Sequence, residues 1–270
     1  SLNLIPALKK VSEIEEANKF ARKSGKVLPV WVQLDTGMNR LGISKTELFS
    51  LFTGNNSVSF SGLDIRAIMS HLSSSDNPSH STNEQHHARF IEMSNLFGPL
   101  PRSLSASHGI LLSDKFHFDI TRPGIALYGY NDNSVVEFGC KPILKWTAPI
   151  LQIRSISSGE QIGYGADFTA RTPMRIATIG AGYADGYQRS LQTIGKISFA
   201  GYICNIVGRI SMDSLVIDVS EIPDTVLAKT SQVWLLGAHY TASDMASDLS
   251  TISYEILTSL GTRPKRIYEK

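Results

Sequence analysis

The hydrophobic rhythm of this chain changes near Gly139, and the change divides it into two unlike parts. Before that point short apolar runs alternate with helical patterns. Strands are expected over residues 4–8, 28–35, 65–71, 103–106 and 117–121, and helices over 11–23, 45–52 and 82–97. The first helix gathers Ile14, Ala17 and Ala21 on one face. The last opens with Ser81-Thr82-Asn83-Glu84, the pattern of a capping box, and stops at Gly98-Pro99. Strands alternating with helices imply βαβ units and a parallel sheet.

Beyond Gly139 the stretches 142–157, 175–180, 196–219 and 233–237 are rich in Ile and Val and broken by Gly, so this part reads as mostly β. Only 241–260 reads as helix, with Met245, Leu249, Ile252, Ile256 and Leu260 at helical spacing and Gly261 as the stop. The expected domains are therefore 1–139 and 140–270. A closed eight-stranded β/α barrel takes about 250 residues. With five expected strands, the first part is either another α/β fold or a barrel lacking its first strands.

Composition excludes several classes. A net charge of +2 with no dense basic run gives no footprint for nucleic acid. No apolar stretch approaches the ~20 residues that span a bilayer, and the first ten residues lack a signal-peptide core. The two cysteines, Cys140 and Cys204, sit in no metal spacing, and a reducing cytoplasm suits them. His71, His80, His86 and His87 lie near Asp76, which raises a zinc site. Adjacent His86 and His87 point different ways on a helix, however, and no His pair shares a face, so no metal is expected.

The polar residues gather where the expected strands end. Strand 28–35 runs into Asp35-Thr36-Gly37-Met38-Asn39-Arg40, and strand 65–71 ends at His71 with Asp76 beyond. Ser107-His108-Gly109 and Arg122-Pro123-Gly124 follow the last two. The C-terminal ends of parallel strands carry the chemistry of such folds, and the loops after a barrel's last two strands often hold a phosphate. The second part adds a glycine-flanked tyrosine in Ile162-Gly163-Tyr164-Gly165, and Gly182-Tyr183-Ala184-Asp185-Gly186.

These segments, with Arg122-Pro123-Gly124-Ile125-Ala126-Leu127-Tyr128-Gly129 and Val207-Gly208-Arg209-Ile210-Ser211-Met212-Asp213, resemble the motifs of the alanine racemases in order and spacing along essentially the whole chain. The resemblance implies an α/β fold. A partial (β/α)8 barrel of about the last five strands would hold pyridoxal 5'-phosphate, and a mostly β domain would follow. It also implies a cytoplasmic enzyme that interconverts L- and D-alanine through a cofactor aldimine, using a lysine and a tyrosine as bases, and supplies D-alanine for bacterial peptidoglycan. The partner implied is a second copy in a head-to-tail homodimer with shared active sites. A serine or broad-specificity racemase of the same fold, or a catalytically incompetent fragment, is the alternative.

Carried over by position, the resemblance makes Tyr164, His71 and Arg122 catalytic, with Arg122 bonded to the pyridine nitrogen. Arg40 would bond the cofactor's phenolic oxygen and face substrate. Ser107, Gly124 and Ile125 would hold the phosphate. Met212 would offer its backbone N–H to the substrate carboxylate, beside Tyr183. Asp76, Arg209 and Asp213 would line the access channel with Tyr183. An arginine on the ring nitrogen makes physical sense, because it can only donate and so keeps that nitrogen unprotonated. A free phenol titrates near ~10, so a tyrosine base needs positive charge or donors around it.

The departures are also specific. No segment resembles the family's lysine segment at the first barrel strand, so the chain is expected to start after it, and to be inactive on its own while the complete form is the racemase. Gln33 stands where many members carry a carbamylated lysine, which would leave Arg40 to be balanced by an anion such as chloride. Ala106 stands where many have Asn, and Thr262 falls near the place of a phosphate-binding tyrosine.

Overall fold

The computed structural model describes residues 4–53, 60–131, 139 and 141–268; Cys140 lies outside them. Two compact units follow, one running to Leu127, the other holding Tyr128 to Asn131 and the residues from Lys141 on.

In the first unit β1 (Ala7–Leu8), β2 (Leu28–Gln33), β3 (Leu63–Met69) and β4 (Arg102–Ser103) form a sheet in chain order, every pair parallel. Sequential parallel order is the arrangement of a β/α barrel wall. Its helices are α1 (Val11–Ser24), α2 (Lys45–Thr53), α3 (Thr82–Ser94) and the single turn α4 (Ser107–Ile110). Helix α1 buries Ile14, Asn18 and Ala21 and ends where Gly25 takes the left-handed conformation (φ 65°) and returns its N–H to Ala21. The alternation of β2 buries Val30 and Val32 in a core shared with Ile68, Phe90, Met93 and Leu104.

Two expectations for this unit fail. Residues 117–121 form no strand. Phe118 is left-handed (φ 53°), and the N–H groups of Asp119 and Ile120 both reach the Arg102 carbonyl, so only isolated bridges, Ser103 to Phe118 and Ala106 to Arg122, join this segment to the sheet edge. The capping box at Ser81 is also absent. Ser81 already has helical angles (φ −59°, ψ −23°), and its side chain reaches no first-turn N–H. The working box belongs to α2, where Ser44 and Glu47 exchange bonds: Glu47 N donates to Ser44 Oγ at 3.3 Å and Ser44 N to Glu47 Oε2 at 3.0 Å. The Ser44 side chain, followed by its N–H, holds the Glu47 carboxyl below its ordinary pKa.

The second unit is built on six antiparallel strands in the order β10-β9-β12-β5-β8-β11. They are β5 (Trp146–Ile156), β8 (Met174–Ile179), β9 (Lys196–Phe199), β10 (Tyr202–Asn205), β11 (Leu215–Asp218) and β12 (Gln232–Leu236). A small hairpin, β6 (Gln161–Ile162) and β7 (Phe168–Thr169), stands apart from this sheet. The turn α5 (Asp224–Leu227) precedes β12. The helix expected over 241–260 is two helices, α6 (Ala242–Asp248) and α7 (Ser253–Ser259). Ser250 takes a left-handed turn (φ 54°) between them, which throws Ile252 out to 53% exposure while Met245 and Ile256 stay buried. Among the described residues no helix is long and apolar enough to cross a membrane.

Replacing Ser44 with Ala removes the cap of α2 and is expected to cost about 1 kcal/mol. Urea unfolding should show this as a lower midpoint at unchanged slope. An unchanged midpoint would mean that the exchange with Glu47 does not hold the helix.

Candidate functional site

In the first unit the site grows around Arg122. Its NH1 donates to Ser103 Oγ at 2.5 Å, and Ser103 passes its own proton to the Ile120 carbonyl at 2.7 Å. Its NH2 donates to the carbonyls of Ser70 at 2.6 Å and Leu104 at 3.2 Å. These acceptors sit at or just beyond the ends of β3 and β4, so the sheet itself aims the guanidinium. Burial lowers the Arg122 pKa from its ordinary value, but three neutral acceptors leave its charge without a counter-ion among them.

His71 lies against this arginine, with Nδ1 3.3 Å from Arg122 NH2. Arginine has no lone pair to offer, so Nδ1 must accept and the ring's proton resides on Nε2. Burial first, then the charges of Arg122 and Arg40, push the His71 pKa down to about 4. The imidazole is therefore neutral near pH 7 and presents an Nε2–H donor away from Arg122.

Next to this corner Ser107 opens α4 and faces the turn after Arg122. Its Oγ accepts the N–H of Gly124 at 2.8 Å and of Ala126 at 3.3 Å. Ile125 begins the 3-10 turn Ile125–Tyr128 and is buried. A Cβ placed on Gly124 would meet only Ser107 Oγ, at 3.9 Å, so the space beside this turn is open. Arg40 is exposed on the loop after β2. Gln33, the neutral residue singled out there, donates from Nε2 to the Leu41 carbonyl at 3.2 Å and so braces that loop. Asp76 is exposed in the turns between β3 and α3. Among the described residues no three His, Cys, Asp or Glu side chains gather as metal ligands. His86 is instead buried on α3, and His87 bonds the Lys115 carbonyl.

The second unit brings the other expected residues together. Tyr164 sits in the β6–β7 turn, 73% exposed, between Gly163 (φ 74°) and Gly165 (φ 75°). Gly165 lets the Arg209 guanidinium lie where a Cβ would be 2.7 Å away, and Arg209 pairs with Asp167 of the same turn. The Tyr183 and Met212 loops are joined: Tyr183 N donates to Ser211 O at 3.1 Å and Ala184 N to Met212 O at 2.9 Å. A Cβ on Gly182 would lie 2.2 Å from Ser211 O, so only glycine permits this approach. Tyr183 and Met212 are exposed, as are neighbouring Asp213 and the more distant Thr262.

Comparison with known proteins gives this geometry its family. The family model described as "Alanine racemase, N-terminal domain" matches residues 1–132, and "Alanine racemase, C-terminal domain" matches 143–268. The chain belongs to the alanine racemase family. The catabolic alanine racemase of Agrobacterium fabrum is 39% identical over 268 residues, covering 99% of this chain and 69% of that protein. An alanine racemase of Brucella ovis is 38% identical over 278 residues, covering 98% of this chain and 70% of its own length. Among solved structures, alanine racemase from Bartonella henselae with covalently bound pyridoxal phosphate superposes with a TM-score of 0.91 at 38% identity, covering 99% of this chain and 74% of that one. The expectation that the chain starts after the lysine segment gains no support from these matches, since the N-terminal family model is matched from residue 1.

Within the family frame, the residues missed in the sequence are Ser103, Ser70 and Asp167. Ser103 and the Ser70 carbonyl seat Arg122, and Asp167 holds Arg209. Only their places at strand ends or in the Tyr164 turn could have marked them.

The neutral state of His71 is testable. Its imidazole is expected to titrate by NMR at about 4. The unfolded chain takes up this proton below the ordinary 6.5, the folded chain only near 4. The group's contribution to stability is therefore complete above pH 6.5 and is lost as pH falls from there through about 4. A midpoint at or above the ordinary histidine value of about 6.5 would contradict the arrangement.

Proposed function

We propose that this chain carries out the racemisation of alanine with pyridoxal phosphate, and that its two groups of residues are the halves of that site. The observation that carries the reading is the Arg122–His71 corner, a half-buried cation with a neutral histidine whose one free donor points onward. The donor set fits the cofactor. Arg122 keeps N–H groups beyond those given to Ser103, Ser70 and Leu104, suited to an unprotonated ring nitrogen. Ser107 accepts from Gly124 and Ala126, which leaves its own proton for a phosphate oxygen beside open space at Gly124. Arg40 would face the phenolic oxygen, with an anion such as chloride balancing its charge.

Pyridoxal phosphate, when bound, supplies the electron sink that makes the alanine Cα proton removable. The protein's part is to choose the face and move the proton. Tyr164 would take or return it at its hydroxyl oxygen on one face. The His71 Nε2–H would steady the phenolate, while the Arg122 charge behind Nδ1 keeps His71 a donor. Met212 N–H would fix the substrate carboxylate. Tyr183, Arg209, Asp213 and Asp76 would line the way in, where two tyrosines favour a small side chain. The exposure of Tyr164 supports a head-to-tail homodimer in which this tyrosine enters the partner's site. A base on the opposite face would be a lysine. We assign it to no position among residues 1–270, because no segment here is similar to the family's lysine segment. The reading places the enzyme in the cytoplasm.

Tyr164→Phe is expected to lower racemisation by about 10²–10⁴-fold with cofactor binding retained, and to slow the L-to-D direction more in proton abstraction. Equal, mild losses in both directions would remove Tyr164 from the base's role. Borohydride reduction of the enzyme as it occurs in cells, followed by peptide mapping, should place no stoichiometric pyridoxyl label on a lysine of this sequence. A label on one would overturn that assignment.

A further inference from the structure

Arg40 is exposed, and among the described residues its guanidinium has no hydrogen-bond or ion-pair partner. Its direction is therefore set by the loop that carries it. That loop is held by groups to which the reaction gives no role. Asp35 Oδ1 accepts the N–H of Gly37 at 2.8 Å and of left-handed Asn39 at 3.1 Å. Thr36 between them is 1% exposed, which is unusual for a polar loop residue.

The Thr36 hydroxyl has a defined direction. It lies 2.8 Å from Ser70 Oγ, and Ser70 spends its only proton on the Leu34 carbonyl at 2.8 Å. Thr36 is thus the donor and Ser70 the acceptor. Ser70 is the same residue whose carbonyl seats Arg122. One buried hydroxyl pair therefore ties the base of the Arg40 loop to the seat of Arg122. From the other side, α3 delivers Arg89, whose NH1 donates to the Thr36 carbonyl at 3.2 Å. A Cβ on Gly37 would lie 2.7 Å from Arg89 NH1 and 2.8 Å from His86 Nε2, so the loop is packed down onto that helix face.

We propose that Thr36 and Arg89 are positioning residues that fix the Arg40 loop against the Arg122 corner and so set the geometry in which the pyridoxal phosphate ring is held. The proposal rests on the racemase reading above. The Thr36 hydroxyl is spent on Ser70 and Arg89 NH1 on the Thr36 carbonyl, so each acts through the loop of residues 36–40 and not on the cofactor directly. Losing a buried hydrogen bond of this kind corresponds to about a ten-fold change in an equilibrium that depends on it.

The test uses the protein as it occurs in cells, stripped of cofactor and titrated with pyridoxal phosphate by tryptophan fluorescence, with melting temperature and racemase kinetics alongside. Thr36→Val and Arg89→Gln should each weaken cofactor affinity by about ten-fold, and Thr36→Ser should keep it. The apoprotein should melt within about 4 °C of wild type. In an Arg40→Gln background, Thr36→Val should add little, since the group it positions is gone. Equal losses with and without Arg40, or lower melting with unchanged affinity, would overturn the proposal and leave a purely structural role. Arg89 is exposed, so Arg89→Gln decides the matter if Thr36→Val fails to fold. Wild-type protein that neither binds pyridoxal phosphate nor racemises would sink the racemase reading along with it.

Discussion

The site depends on how one arginine is seated. Arg122 is half-buried and charged, and the groups that hold it are a serine hydroxyl and two backbone carbonyls, all neutral. A carboxylate in their place would cancel the charge. Neutral acceptors fix the guanidinium and leave its field to act on its surroundings; burial first, and then that field with Arg40's, push the His71 pKa down to about 4. The strand ends explain why this is possible. Carbonyls just past the last ladder bonds of β3 and β4 are free to accept, and a parallel sheet brings them side by side.

The second unit solves a different problem, that of presenting a tyrosine and a backbone N–H on exposed turns without letting them wander. Glycine does this by allowing close approach. Gly165 admits the Arg209–Asp167 pair beneath Tyr164, and Gly182 lets the Tyr183 loop hydrogen-bond directly to the Ser211–Met212 backbone. The turns that carry exposed side chains are thus fixed through their backbones. The Arg40 loop follows the same logic, with Asp35, Gln33 and the Thr36–Ser70 pair in the role that close backbone approach plays in the other unit.

Much of this was readable from the chain. Apolar runs ending in Arg, His and Ser located the Arg122–His71 corner and the Ser107 turn, because hydrophobic periodicity and strand-end chemistry are both written in residue type. What failed was set by backbone conformation. Phe118 and Ser250 adopt left-handed angles that their residue types do not announce, so residues 117–121 lost their strand and 241–260 broke into two helices. The pairing of Thr36 with Ser70 was equally hidden. Both are common residues at strand ends, and only the parallel register of β2 and β3 brings their neighbourhoods together.

The proposed sharing of a site between two copies is tested most directly by mixing two variants, each expected to be inactive, of the protein as it occurs in cells. Arg122→Ala breaks the half-site of the first unit and Tyr164→Phe that of the second. In a two-fold dimer with exchanged halves, a mixed pair has one site with both defects and one with neither. Random exchange should make about half of the dimers mixed, so activity should return to on the order of a quarter of wild type. If subunits are shown to exchange and no activity returns, Arg122 and Tyr164 do not meet across two copies of this chain.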